Sequence, residues 1–302
     1  MRNNSATGGP TPVDPPGGDP LLALAPALLR LAVEAGARIL EVYETDFAVD
    51  TKRDSTPITE ADRRSHEVIT RGLAELTAPP PVAEPLPVLS EEGRDIPYEE
   101  RRRWRELWMV DPLDGTREFV SRNGEFTVNI AMIRQGRPVL GVVYAPVPDV
   151  LYLGAAGAAG GSLYKVEAAR GGEEEGRATS WVRARRVPPP SGPAGSRVLR
   201  VAGSRSHRSA DFDRYVDELG RGYDDVEVVT AGSSLKFCLV AEGRVDVYPR
   251  FGRTMEWDTA AGHAVALAAG RRVRVVSKDG APTDRELSYN KAELINDWFV
   301  CR

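Results

Sequence analysis

Asp111-Pro112-Leu113-Asp114-Gly115-Thr116 places two carboxylates, a backbone carbonyl and two turn amides within six residues. Oxygen donors at this density suit a hard divalent cation, and turn amides suit a phosphate oxygen. The preceding apolar run, Leu107-Trp108-Met109-Val110, predicts a buried strand, so the carboxylates are expected where it ends and the chain turns. In this reading Asp111, Asp114 and the Leu113 carbonyl share the cation, while the amides of Gly115 and Thr116 face the phosphate. Oxygen ligation favours Mg²⁺ over zinc. Asp and Gly are also ordinary turn residues, so the hexapeptide alone leaves a plain turn open.

Other segments bring further chemistry. Val88-Leu89-Ser90-Glu91-Glu92-Gly93 predicts a short strand delivering Glu91 to the same rim. Asp258 opens a small-residue helical run, where it is either a metal ligand or an N-terminal helix charge. Thr59 and Asp62 resemble a capping box for a helix running toward Leu76. Gly232-Ser233-Ser234 offers backbone and hydroxyl donors ahead of a helix over Leu235–Glu242, and Lys236 and Arg250 offer cations for an anionic ligand. A solvated helix face is the alternative for Lys236. The three histidines are dispersed without zinc spacing, and His66 and His263 read as structural.

Taken together and in order, Asp54 to Asp62, Leu89 to Glu92, Asp111 to Thr116 and Trp257 to Ala260 resemble the motif set of the inositol monophosphatase superfamily. Asn123 to Ala131, Gly232 to Gly243 and Tyr248 to Gly252 are similar to bacterial 3′(2′),5′-bisphosphate nucleotidases of the CysQ type, and the likeness runs from about Leu21 to the C-terminus. The resemblance implies a layered α/β fold, an αβαβα sandwich of two packed halves. It implies that Glu91, Asp111, the Leu113 carbonyl, Asp114 and Asp258 hold two or three Mg²⁺ ions. Asp62 and Thr116 would orient the attacking water, with Glu91 and Asp114 sharing in catalysis. Substrate would meet Glu91, Leu113, Asp114, Gly115, Thr116 and Asp258 on the metal side. It would meet His207, Gly232, Ser233, Ser234, Lys236 and Arg250 on the other, with a surface histidine as the alternative for His207. The implied activity is hydrolysis of adenosine 3′,5′-bisphosphate to AMP and phosphate, with phosphoadenylyl sulfate as a second substrate and inhibition by lithium. An inositol or sugar-phosphate phosphatase with the same cage is one rival reading. A catalytically inactive nucleotide-binding protein is another, and the intact acidic set argues against it.

The elements that must position these residues are legible as periodicity. Leu24, Leu28, Leu31, Ala35, Ile39 and Val42 recur at helical spacing. Val128–Ile133, Val139–Tyr144 and Val150–Leu153 predict antiparallel strands separated by Gly- and Pro-containing turns. A strand at Val198–Ala202, a helix at Asp211–Leu219, a strand at Val226–Val229 and a helix at Thr259–Ala269 complete the pattern. The expected organisation is a disordered extension (1–20), a metal-bearing half (21–160), a variable surface loop (161–197) and a C-terminal half (198–302) contributing Asp258 and nucleotide recognition.

At 302 residues the chain can bury a large core, and its net charge of -4 argues against a general nucleic-acid coat. The expected partner is a small bisphosphorylated nucleotide, bound by a monomer or homodimer. Cys238 and Cys301 form no C-x-x-C pattern, which argues against a thiolate metal site. Arg30, Glu34 and Arg38 interrupt the apolar run Leu21–Tyr43, so it reads as a core helix in a cytoplasmic protein, with peripheral attachment to the inner membrane left open.

Nine of the first twenty residues are Pro or Gly, too little apolar content to join a core. Removing residues 1–20 is therefore expected to leave the kcat and KM of the folded protein unchanged in steady-state assays. A large fall in turnover would assign the extension to the site.

Overall fold

The computed structural model describes residues 20–51, 57–76, 85–157, 160–170, 184–187, 198–204, 209–277 and 281–302. His207, Asp54 to Thr56, the extension before Pro20 and much of 171–197 lie outside the described residues.

A 3-10 turn over Pro20–Leu24 leads into α1 (Ala25–Tyr43), where Pro26 falls in the first turn and so removes no helix hydrogen bond. The hairpin β1 (Val49–Thr51) and β2 (Pro57–Thr59) feeds α2 (Glu60–Ala74). Then come β3 (Val88–Ser90), α3 (Tyr98–Arg101), β4 (Glu106–Asp114) and α4 (Thr116–Val120). The meander β5 (Thr127–Arg134), β6 (Arg137–Ala145), β7 (Val150–Gly157), β8 (Gly160–Glu167) and β9 (Ala184–Val187) follows. The remainder is β10 (Val198–Gly203), α5 (Ala210–Gly220), β11 (Asp225–Thr230), α6 (Leu235–Ala241), β12 (Tyr248–Arg250), α7 (Glu256–Ala268), β13 (Val273–Val276), β14 (Pro282–Glu286) and β15 (Phe299–Cys301).

Strands β3 to β9 form a seven-stranded sheet in sequence order, parallel between β3 and β4 and antiparallel elsewhere. Its pleat sorts side chains strictly. Trp108, Val110, Ile130, Met132, Val142 and Leu153 enter a core with α1 and α2, whereas Leu89, Leu107, Met109, Ala131, Val143 and Tyr152 enter a second core with α6 and α7. Both faces are covered, which is why these strands read as continuous apolar runs. Beyond α7 lies the sheet β12-β15-β13-β14, joined to the parallel pair β10-β11 by a bridge between Val201 and Val247, with α5 packed outside. The layers alternate α, β, α, β, α, as expected.

The structure corrects one expectation and adds one element. The stretch 161–197 is not simply a surface loop: Leu163, Tyr164 and Val166 of β8 are buried in the sheet, and β9 pairs along its edge. The short α4 after the acidic hexapeptide was not legible, because five residues carry too little periodicity. The segment Pro20–Tyr43 is long and apolar enough to cross a membrane by composition, yet Leu28, Leu29, Ala32, Ala35 and Ile39 are fully buried in the core.

Helix α7 sits unusually close to the large sheet. A Cβ added at Gly141, Gly154 or Gly161 would lie 2.5, 2.6 or 2.3 Å from its backbone at Ala261, Val265 and Ala268. Gly141 and Gly154 are direct cross-strand partners, so three neighbouring strands offer a floor without side chains. Gly154→Val is expected to push α7 outward and destabilise the protein by about 1–3 kcal/mol or more, read as a lower urea midpoint. An unchanged midpoint would show that the helix does not depend on this floor.

Candidate active site

The pleat that builds the two cores also builds the site. Leu89, Leu107 and Met109 face α7, and residues two further along share that face, which carries Glu91 and Asp111 toward α7 at the ends of β3 and β4. Asp111 pairs with Asn129 of β5, after which the register breaks and resumes at Asp114 and Thr127. Pro112, unable to donate to the ladder, sits in that irregularity, and its carbonyl accepts from Ser65 Oγ of α2 at 2.7 Å. Asp111 Oδ1 accepts from the Leu113 amide at 3.1 Å. Gly115 has φ 90°, and a Cβ there would meet Ser233 Oγ at 2.2 Å, so both conformation and space demand glycine.

One carboxylate oxygen from each of Glu91, Asp111 and Asp258 lies within 4.8 Å of the others. Among the described residues this is the group whose geometry could hold a metal ion, and its donors are all oxygen, as a hard divalent ion requires. Asp258 arrives in the first turn of α7, where Oδ2 also accepts from the Met255 amide at 3.0 Å. The cap and the cluster are thus one residue's two tasks. Burial, then repulsion from Asp114 and Glu91, pushes the Asp258 carboxyl well above the usual range. A bound cation reverses that balance, because it favours the charged form.

Asp114 stands beside this trio rather than inside it. Its Oδ2 accepts from Ser234 Oγ at 3.1 Å and Asn129 Nδ2 at 3.3 Å. Burial at the base of the cleft raises its pKa to about 6, against the opposing pull of Lys236, Ser234 and Asn129. Asp62 also serves twice: Oδ2 completes the Thr59 capping box at 2.7 Å, and Oδ1 lies 3.4 Å from the Thr116 hydroxyl. Thr116 Oγ1 is 3.5 Å from the Leu113 carbonyl as well, which ties α2 and α4 to the acidic turn.

The second half of the site is arranged differently from the sequence expectation. Ser233, at φ 46°, turns its hydroxyl inward to the carbonyls of Asp114 and Glu125, both at 2.8 Å. Ser234 Oγ contacts the Asp258 carbonyl at 2.8 Å and accepts from Asn129. Both hydroxyls brace the metal-side turn. A Cβ on Gly232 would lie 2.4 Å from the Glu125 carbonyl, so this approach too needs glycine. Lys236 is only 4% exposed, which overturns the solvated-face alternative. Two of its three N–H groups go to the Ala231 and Ser233 carbonyls at 3.0 and 2.8 Å, and burial lowers its pKa to about 8.

Glu91, Asp111, Asp114, Thr116, Gly232, Ser233, Lys236 and Asp258 line a cleft of about 730 Å³, together with Arg117, Arg250, Arg253 and Trp257. That volume suits a nucleotide-sized ligand. Asn129, Arg117 and Arg253 were missed from sequence. For Asn129 a signal existed, since an amide inside the apolar strand Val128–Ile133 must find buried partners. His263, by contrast, is buried against Tyr289 and lies outside the cleft, and His66 bonds Ser90.

A model of the inositol monophosphatase family matches residues 22–296. A 3′(2′),5′-bisphosphate nucleotidase CysQ from Escherichia coli strain K12 is 46% identical over 258 residues, covering 84% of this chain and 91% of that protein. Its counterpart from Buchnera aphidicola is 39% identical, covering 90% and 91%. The crystal structure of CysQ from Bacteroides thetaiotaomicron, 42% identical, aligns with a TM-score of 0.78 over 93% of this chain and 98% of that one. The suppressor protein SuhB of Bartonella henselae shares the fold at 21% identity and a TM-score of 0.63, with coverage of 92% and 93%.

Ser234→Ala would take from the Asn129 amide one of its two partners, leaving Asp114, and loosen Asp114 and Asp258 together, a loss of roughly 1–3 kcal/mol. Phosphate release is expected to fall about tenfold or more while the circular dichroism spectrum is unchanged. Wild-type turnover would separate Ser234 from the site's geometry.

Proposed function

The chain belongs to the inositol monophosphatase family, and we propose that it is a 3′(2′),5′-bisphosphate nucleotidase, hydrolysing adenosine 3′,5′-bisphosphate to AMP and phosphate. The observation that carries this reading is the convergence of Glu91, Asp111 and Asp258 within 4.8 Å in an arginine-rimmed cleft, in a chain 46% identical to such a nucleotidase. Glu91, Asp111, the Leu113 carbonyl, Asp114 and Asp258 would hold two or three Mg²⁺ ions, which when bound supply positive charge for phosphoryl transfer and acidify a water. The chain's own groups do the rest. Asp62 and the Thr116 hydroxyl, 3.4 Å apart, orient the attacking water and take up its proton at Asp62. The amides of Gly115 and Thr116 bind the transferred phosphoryl oxygens. Arg250, which also lines the cleft, binds the phosphate that does not react, and Lys236 holds the Ala231–Ser233 turn so that Ser233 and Ser234 fix the acidic loop.

Phosphoadenylyl sulfate is the second substrate in this reading, with lithium inhibition and a cytoplasmic location as its corollaries. The inositol phosphatase alternative rests on structures about 21% identical to this chain, which speak only for the fold. Parallel phosphate-release assays on adenosine bisphosphate, phosphoadenylyl sulfate and inositol phosphate discriminate between the readings. Preference for inositol phosphate would reject the nucleotidase.

Asp114→Asn keeps the side chain's size and removes its charge, so it is expected to remain folded and lose at least several hundredfold in turnover with Mg²⁺. That corresponds to at least about 3.5 kcal/mol of transition-state stabilisation. Near-normal turnover would remove Asp114 from the metal site.

A further inference from the structure

Along the C-terminal half of α7, away from the catalytic cleft, two adjoining cavities of about 410 and 560 Å³ share Arg137, Pro138, Leu267 and Arg272. None of their lining residues belongs to the cleft. Five arginines line them (Arg134, Arg137, Arg271, Arg272 and Arg274) against the two carboxylates of Asp284 and Glu286. Glu286 accepts one N–H from Arg137 and one from Arg272, each at 2.8 Å. A guanidinium carries five such donors, so most of this capacity is not spent on Glu286. Asp284 approaches Arg274 only to 4.0 Å and is fully exposed, and Arg134 pairs through Nε with Glu106.

The second observation is a set of buried nitrogens. Arg134 Nη2, Arg271 Nε and His263 Nε2 have no hydrogen-bond partner among the described residues. His263 is 1% exposed and lines the smaller cavity, its ring held by a 2.9 Å contact between Nδ1 and the Tyr289 hydroxyl. Burial, and then the nearby Arg137, lowers its pKa to about 3, so the ring is neutral. Leaving three such groups unpaired is costly; acceptor atoms from a ligand would satisfy the two arginine nitrogens, and His263 Nε2 would donate or accept according to the ring's tautomer.

We propose that these cavities form a second binding site, for a small phosphorylated metabolite. Its phosphoryl group is recognised by Arg137, Arg271 and Arg272, with His263 Nε2 as a neutral partner and Pro138 and Leu267 as an apolar floor for the organic part. The site is also placed to be sensed. The Tyr289 hydroxyl that holds His263 lies 3.3 Å from Thr259 Oγ1, next in sequence to Asp258.

The test is calorimetric titration of the full chain in EDTA with inorganic phosphate and then with AMP, and it does not rest on the nucleotidase reading. Saturable binding is expected, weakened about tenfold or more in Arg271→Gln/Arg272→Gln, whose turnover with Mg²⁺ stays within about twofold of wild type. Tighter binding of AMP than of phosphate would assign the organic part to the cavity, and equal binding would confine recognition to the phosphoryl group. Should the double variant unfold, Arg137→Gln, the third arginine on the phosphoryl group and 66% exposed, is expected to weaken binding at least about threefold. No saturable binding in EDTA, or binding lost in Arg250→Gln and unchanged in the arginine variants above, would overturn the proposal.

Discussion

Everything about the site depends on how closely α7 is seated. Its inner surface is nearly all small residues, Ala260, Ala261, Ala264 and Ala268 among them, and the strands beneath present Gly141, Gly154 and Gly161. On its other flank Gly262 meets Phe237 of α6, where a Cβ would come within 2.3 Å of the ring. Glycine is normally a weak choice for a strand or helix interior, costing roughly 0.5–1 kcal/mol relative to alanine. Here it lets two backbones touch. Because α7 cannot shift in or out, the carboxylate in its first turn is held at a fixed height above the sheet, where Glu91 and Asp111 end their strands.

Rigid placement is needed because the groups repel one another. Asp258, Asp114 and Glu91 are brought together in a partly desolvated cleft, and the first two are raised above the usual carboxylate range by that environment. Burying like charges opposes folding, so the site must be over-determined by contacts elsewhere. Those contacts are visible. Asn129 of β5 and the adjacent pair Ser233 and Ser234 knit two other segments to Asp114, and Lys236 brings a buried positive charge beside it. The protein therefore holds its carboxylates in place before any cation arrives, which limits the reorganisation that binding requires.

The same helix serves two regions of different charge. Its first turn carries Asp258 into an acidic cluster, and its later turns run beside an arginine-lined cavity through His263 and Leu267. Tyr289 bonds His263 and approaches Thr259, so the two regions share a short chain of hydrogen-bonded side chains.

Much of this was local and hence legible. The apolar strands, the amphipathic α1, the Thr59–Asp62 capping box and the acidic hexapeptide each lie within a few residues, where periodicity and turn chemistry act directly. The order of the acidic motifs sufficed to indicate the family. What the sequence could not determine was which way side chains turn when their partners are far along the chain. Ser234 meets Asp114 across 120 positions and Asn129 across 105, and only the packed layers bring them together. Lys236 read as a cation for an anionic ligand, with a solvated helix face as the alternative, and it is buried with its ammonium on the Ala231 and Ser233 carbonyls, because α6 lies between α7 and the outer sheet. Strand β8 was hidden by its position at the edge of a glycine-rich, charged stretch, and it became a strand by pairing with β7. Residue types and their order thus determined what chemistry this chain can do. Tertiary contacts decided which side chains perform it and which hold the others still, since a pleat or a helix specifies a face but not what packs against it.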